Sequence, residues 1–438
     1  MPVGLSPSDG RALLTSREIN LRLNTKMKTR REFLQTLAYS GLGVTMLPIA
    51  MGAGGITNIA ENVIYLYMDG GMSHLDTFDP KTNQEVRGKF GILETGIPNF
   101  TLSEHLKGIG KLANRAALVR GMRVTTGDHA GAQYYARTSY KKIGTITHPS
   151  MGAWVAMHKQ DPKAVLPANV VINGPATHPG SGWLPKRYSP LPILDPTKGL
   201  ENTNLNDQVT FSKKVEILNM LNKAQNKLAT DGVKGYADFY DQTVKLLKSK
   251  DLEAFDLTKE PKEIRDQYGD NKFGQGCLLA RRLIQQAGVR FVEVSHGGWD
   301  THVNNFDQLE TKLPIIDQAV AALVGDLERC GLMKSTLIVV ATEFGRTPDI
   351  NVSDGRDHHP GAFSNLLIGA GIRGGSVWGK TDERGDKVVE GETSTADFNA
   401  TIAAAAGLPI AQEFKTPEGR PMFIASKEGK PIKSILAV

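Results

Sequence analysis

From Glu61 onward the chain alternates short apolar runs with longer amphipathic stretches, and the apolar runs stop at clusters of Asp, His and Gly. "NVIYLYMDGG", "RAALVRGM", "ANVVING", "VRFVEVSHGG", "STLIVVATEFGR" and "SNLLIGAGI" read as strands. "FGQGCLLARRLIQQAG", "IIDQAVAALVGDLERCGL", "STADFNATIAAAAGL" and "DGVKGYADFYDQTVKLLKSKDLEAFDL" read as helices, most of them ended near glycine. Continuous apolar strands separated by helices predict an α/β fold with a large, mostly parallel sheet and helices on both faces. Ligands bind such sheets at the carboxyl ends of the strands, and there the polar clusters collect. The Pro-, Gly- and Asn-rich stretch 175–210 reads as an excursion over one sheet edge, a lid or rim.

The chain's 438 residues can bury a large core, and the composition, 40% hydrophobic and 22% charged, is that of a globular protein. Most of the net charge of +6 sits at the start, where residues 1–60 hold seven Lys/Arg against three Asp/Glu. A near-neutral body with no basic stripe interleaved with aromatics argues against nucleic acid as a partner. Cys277 and Cys330 fit no zinc motif and read as two free, partly buried thiols.

Residues 1–60 read as an N-terminal extension and 61–438 as a single domain. In "KTRREFLQTLAYSGLGVTMLPIAMGAGG", Arg30-Arg31 precede a weakly apolar run, which resembles a twin-arginine export signal. The implied partner is the twin-arginine translocase, and the implied location periplasmic or extracellular. Met27, just before the basic stretch, competes with Met1 as the start. The run Leu37–Ala53 is broken by glycines, Ser40 and Pro48, so no stable membrane span is expected in the mature protein.

Four polar clusters follow strands, and they hold six of the ten histidines. "MDGGMSHLDTFDPK" contains Asp69, Ser73, His74, Asp76 and Asp79, the last reading as turn chemistry. "TTGDHAGAQYYARTS" contains Thr126, Asp128 and His129. "SHGGWDTHVNN" contains His296, Asp300 and His302. The fourth pairs Glu343 and Arg346 of "ATEFGRTP" with Asp357, His358 and His359 of "DGRDHHPGAF". Zinc and manganese take such mixed sets of imidazole nitrogen and carboxylate oxygen. Asp300 and His302, two apart, can project to one side of a turn and share an ion. His296 is a further ligand or an orienting group, and Trp299 is packing or pocket wall.

"GGMSHLDTFDPK", "HPSMGAWV", "GGWDTH", "ATEFGRTP" and "GRDHHP", in this order, resemble the bacterial family called domain of unknown function 1501, from about Asn62 to near the C-terminus. That family is similar to the alkaline phosphatase and sulfatase superfamily. The resemblance implies an alkaline phosphatase-like sheet and one or two divalent ions, Zn or Mn. It also implies a small or polymeric anionic ester as substrate. The expected metal ligands are Asp300, His302, Glu343, His358 and His359, with Asp69 or Asp76 completing the shell. Arg346 would clamp the ester's anionic oxygens. Glu343-Phe344 stands where the superfamily often has Asp-His. Where the superfamily nucleophile is expected, no cysteine lies nearby; His129, as nucleophile, proton donor or ligand, and Thr126, the hydroxyl alternative, are the catalytic candidates. Two functions follow: an exported metal-dependent hydrolase of phosphate or sulfate esters, or a secreted binding or structural protein with a degenerate site.

Overall fold

The apolar run Asn62–Met68 forms strand β1, and all seven of its residues are buried. A strand buried at every position has neighbours on both sides and a layer on each face. The computed structural model, which describes residues 59–200 and 249–437, places β1 inside a nine-stranded sheet. The other strands are β2 (Ala116–Arg123), β3 (Asn169–Ile172), β4 (Leu191–Ile193) and β5 (Phe291–His296). They continue as β6 (Thr336–Ala341), β7 (Phe363–Gly369), β8 (Ser376–Trp378) and β9 (Thr393–Ser394). Across the sheet the order is β8-β2-β7-β6-β1-β5-β3-β4, with β9 also paired to β2.

Every pairing is parallel except those of β7, which runs against β2 and β6. That reversal matters for the site. The first residue of β7, Phe363, pairs with Met122 near the carboxyl end of β2. The residues leading into β7 therefore cross the same edge at which β1, β2, β5 and β6 end.

Helices α1 (His129–Thr138), α2 (Met151–Lys159), α3 (Lys272–Ala287), α4 (Asn305–Arg329) and α5 (Thr395–Ala405) cover the two faces. Successive strand residues point to opposite faces, and β1 divides accordingly. Ile64, Leu66 and Met68 join Leu279 and Leu283 of α3 and Leu313 and Leu323 of α4 in one core layer. Val63, Tyr65 and Tyr67 join Ala132 of α1, Trp154 of α2 and Ile402 of α5 in the other. The α/β sheet with helices on both faces is as the sequence pattern predicts.

Two expectations meet different outcomes. In the long helix expected over 231–257, residues 249–257 instead carry a 3-10 helix at Lys250–Phe255; residues 231–248 lie outside the described residues. The excursion after residue 175 contributes β4, a short edge strand parallel to β3; 201–210 lie outside. The twin-arginine motif and the run Leu37–Ala53 also lie outside the described residues. No described helix is long and apolar enough to cross a membrane.

Candidate metal centre

Four side chains from three strand ends converge at the carboxyl edge of the sheet. Asp300 and His302 come from the loop after β5, His129 opens α1 after β2, and His358 precedes β7. The β5 loop is held down through its backbone. Asp69 N–H donates to the His296 carbonyl at 2.9 Å, and Trp299 N–H donates to the Asp69 carbonyl at 3.2 Å. The two loops touch so closely that Gly70, at φ +122°, has no room for a side chain: a Cβ there would lie 2.6 Å from Asp300 N.

His358 and His359 form a short antiparallel ladder with Gly345–Arg346. Neighbours on an extended segment project to opposite sides, and this separates the two histidines. His358 faces the cluster. His359 turns away, its Nε2 donating to the Asp386 carbonyl at 2.7 Å while its ring lies near that of His74.

Three imidazole Nε2 atoms and the Asp300 carboxylate meet at the centre. His358 Nε2 lies 3.0 Å from His129 Nε2, 3.0 Å from His302 Nε2 and 3.1 Å from Asp300 Oδ1. His302 Nε2 is 3.1 Å from Asp300 Oδ1, and His129 Nε2 is 3.5 Å from Asp300 Oδ2. Ligand atoms of His129, Asp300 and His358 all lie within 4.8 Å of one another.

The opposite nitrogens decide what this centre can hold. Each Nδ1 faces an oxygen acceptor: Glu343 Oε1 at 2.9 Å from His129, Asp357 Oδ1 at 2.7 Å from His302, and the Gly127 carbonyl at 2.8 Å from His358. Burial pushes the Glu343 pKa up, but the bond and charge of His129 together with the bonds from the backbone and from Tyr67 outweigh this and leave it lowered. The bond from His302 likewise lowers that of Asp357. Both carboxylates are therefore acceptors, and each Nδ1 must be the protonated nitrogen. In the tautomer so fixed each Nε2 offers its lone pair toward a carboxylate once the ring is neutral, and the bond to Glu343, which raises the His129 pKa, lets that ring hold a proton when no cation is bound. Such a set asks for a cation. Bonds of about 2 Å at tetrahedral angles set ligand atoms roughly 3.3 Å apart, close to the spacings among His129, Asp300 and His358, with His302 Nε2 alongside at 3.0 Å from His358 and 3.1 Å from Asp300.

Asp300 is kept ionised. Burial alone would raise its pKa, but the Arg346 guanidinium and the bond to His358 hold it well below the usual carboxylate range. Arg346 Nη2 donates to Asp300 Oδ1 at 2.6 Å, and its remaining donors reach the carbonyls of Gly70, Gly71 and Arg356. Arg346 is fully buried, so it orients Asp300 from below, where no ester can reach it.

Glu343 sits behind His129. Its oxygens accept from Gly70 N–H at 2.9 Å and from the Tyr67 hydroxyl at 3.0 Å besides His129. It orients His129, and among the described residues one group, His129, Asp300 and His358, could hold a cation. Asp69 is held by the Gln133 amide at 2.5 Å; its pKa is raised, first by burial and then by Glu343. Phe344 packs under the rings of His129 and His358, at 4.7 and 4.8 Å between centroids. It forms an apolar floor.

Asp76 lies outside the group. It is fully buried, with Oδ2 accepting from Arg356 Nε at 2.8 Å and from the Asn305 amide at 3.0 Å. Thr126 Oγ1 accepts from Asp128 N–H at 3.2 Å, a turn bond before α1. His296 stacks on Phe273 at 4.8 Å and meets Trp299 edge-on, and none of the four converging side chains bonds to it. The orienting roles of Tyr67, Gln133 and Gly127 were not read from sequence. Gln133 carries a usable signal, four residues after His129 on one helix face; the Gly127 carbonyl carries none.

One face of the cluster is open: the side chains of Asp300 and His302 are 47% and 41% exposed, those of His129 and His358 about a quarter. Water or an anion can reach the centre from that side.

Comparisons with known proteins agree with the family reading of the motifs. Among solved structures the chain is similar to the PsFucS1 sulfatase from Pseudoalteromonas sp., at 14% identity over 81% of this chain and 69% of that one, TM-score 0.39. It is similar to the phosphonate monoester hydrolase SpPMH from Silicibacter pomeroyi, at 12% identity over 85% and 76%, TM-score 0.34. It is also similar to the alkaline phosphatase from the Antarctic bacterium TAB5, at 13% identity over 80% and 99%, TM-score 0.33. Likeness this loose carries no argument about substrate. No curated protein matches the sequence. The family described as "Protein of unknown function (DUF1501)" matches residues 60–436, and the chain is a member of that family.

Proposed function

We propose that the chain is an exported hydrolase of phosphate or sulfate esters that works with one divalent cation, Zn or Mn. The observation that carries this reading is the convergence of three imidazole Nε2 atoms on Asp300, with every Nδ1 facing an acceptor. His129, Asp300, His302 and His358 would hold the ion. Bound there, it would supply a Lewis acid for an ester oxygen and activate water. The residues around it do the positioning. Glu343, Asp357 and the Gly127 carbonyl fix the three rings, Arg346 keeps Asp300 ionised, and Phe344 closes the floor. Export rests on Arg30-Arg31 and the apolar run that follows.

A second reading has its own observation. Among the described residues no serine, threonine or cysteine side chain bonds to any of the four ligands, so no side-chain nucleophile is in place. A secreted protein that binds metal or an anion without turning it over would look the same. The test is direct. Protein recovered from the periplasmic fraction is loaded with Zn or Mn and assayed on aryl phosphate and aryl sulfate. The hydrolase reading expects turnover of one class, abolished by chelation and by Asp300→Ala. Metal-loaded protein inert on both classes leaves the binding reading standing, and retention in the cytoplasm removes the export arm.

A further inference from the structure

Three lysines among the described residues are half-buried: Lys81, Lys159 and Lys312. Two of them have carboxylates. Lys81 pairs with Asp79 at 3.0 Å and Lys159 with Glu61 at 3.2 Å. Lys312, on α4, has no hydrogen bond and no ion pair among the described residues. A half-buried ammonium without a counter-charge loses hydration and gains nothing in return. Burial indeed lowers the Lys312 pKa, with no carboxylate to restore it.

Its position is against the loop that carries Asp300. Lys312 Nζ lies 2.7 Å from where a Cβ on Gly298 would be, and Cε lies 3.5 Å away. Gly298 has φ +86° and Gly297 has nothing within 4 Å of its own Cβ position, so the ammonium rests beside an open, side-chain-free strip of backbone. Asp300 follows two residues later, with its carboxylate in the ligand cluster. The charge of Lys312 is also felt at His296, at the end of β5.

We propose that Lys312 binds a second negative group of the substrate, set off from the reacting ester by the span from Gly298 to Asp300. The preferred substrate is then an ester that carries an additional anionic group, rather than an isolated monoester. This rests on the hydrolase site proposed above. Gly297 and Gly298 leave the approach clear, and the ammonium, without a counter-charge among the described residues, gains one when that group arrives. A charge-assisted hydrogen bond of this kind changes affinity by about tenfold or more.

The test compares phenyl phosphate with carboxyphenyl phosphate on the metal-loaded full chain, by calorimetric titration and by inhibition of turnover. The wild type is expected to bind the carboxylated ester about tenfold more tightly. Lys312→Gln should abolish that preference while leaving phenyl phosphate affinity and metal content unchanged, and Lys312→Arg should keep it. Equal binding of the two esters, or a preference that survives Lys312→Gln, overturns the role of Lys312 and leaves the metal site intact. Failure of the metal-loaded wild type to bind either ester overturns the hydrolase site, and the Lys312 proposal with it.

Discussion

At the scale of single residues, the site is governed by what stands behind each ligand. Asp357 is exposed and bonds to no other converging side chain than His302, at 2.7 Å. Its role is to fix the ring so that Nε2 faces inward. Removing such a partner typically costs metal affinity 10- to 100-fold. Asp357→Asn should therefore weaken metal binding by about that factor without abolishing it, measured by competition with a chelating dye. Affinity equal to wild type would show that the Asp357 charge does not hold His302 for the ion. Sequence carried part of this. Asp300 and His302 stood out in sequence through the strand-end clusters together with the order of the family's motifs, while His358 and His359 were equal alternatives. His359 and Asp76 looked equally good by type, and only chain direction separates them. His359 alternates away from His358 on an extended segment, and Asp76 is consumed by Arg356, 280 residues away in the chain.

At the scale of elements, β5 and α1 are joined beneath the site by a buried ion pair. Arg137 Nη2 donates to Glu293 Oε1 at 2.8 Å, and His178 Nε2 lies 3.3 Å from Glu293 Oε2. Burial would raise the Glu293 pKa, but Arg137 and then His178 outweigh it and bring it from 4.5 down to about 2. A carboxylate lowered on folding contributes stability above its unfolded pKa and loses it as pH falls through the folded value. The loss should run between pH 4.5 and about 2 and amount to on the order of 3 kcal/mol. Glu293→Gln should remove that pH-dependent part and cost about 3–5 kcal/mol at neutral pH, because Arg137 is left buried and unpaired. Denaturant midpoints across the acid range measure both. An unchanged acid profile in the variant would assign the acid sensitivity to other carboxylates. The pair was not legible in sequence, because Glu293 sits inside a strand whose apolar pattern hides it.

At the scale of the whole molecule, the sheet order explains why residues scattered from 129 to 358 meet. Parallel strands β2, β5 and β6 end at one edge, and the single reversed strand β7 begins there. The alternation of strands and helices made the α/β class legible. The reversal of β7 was not, since a buried strand reads the same in either direction. That reversal delivers His358 to the edge, and with it the third imidazole of the centre. The central claim is that His129, Asp300, His302 and His358 form one cation site, and metal stoichiometry tests it most directly. Mature wild-type protein, equilibrated with Zn or Mn and freed of excess, should retain about one ion per chain by elemental analysis, as a single converging ligand set requires. Asp300→Ala and His358→Ala should retain almost none while keeping their folded circular dichroism. Wild-type protein that stays metal-free, or variants that keep the full complement, would contradict the account.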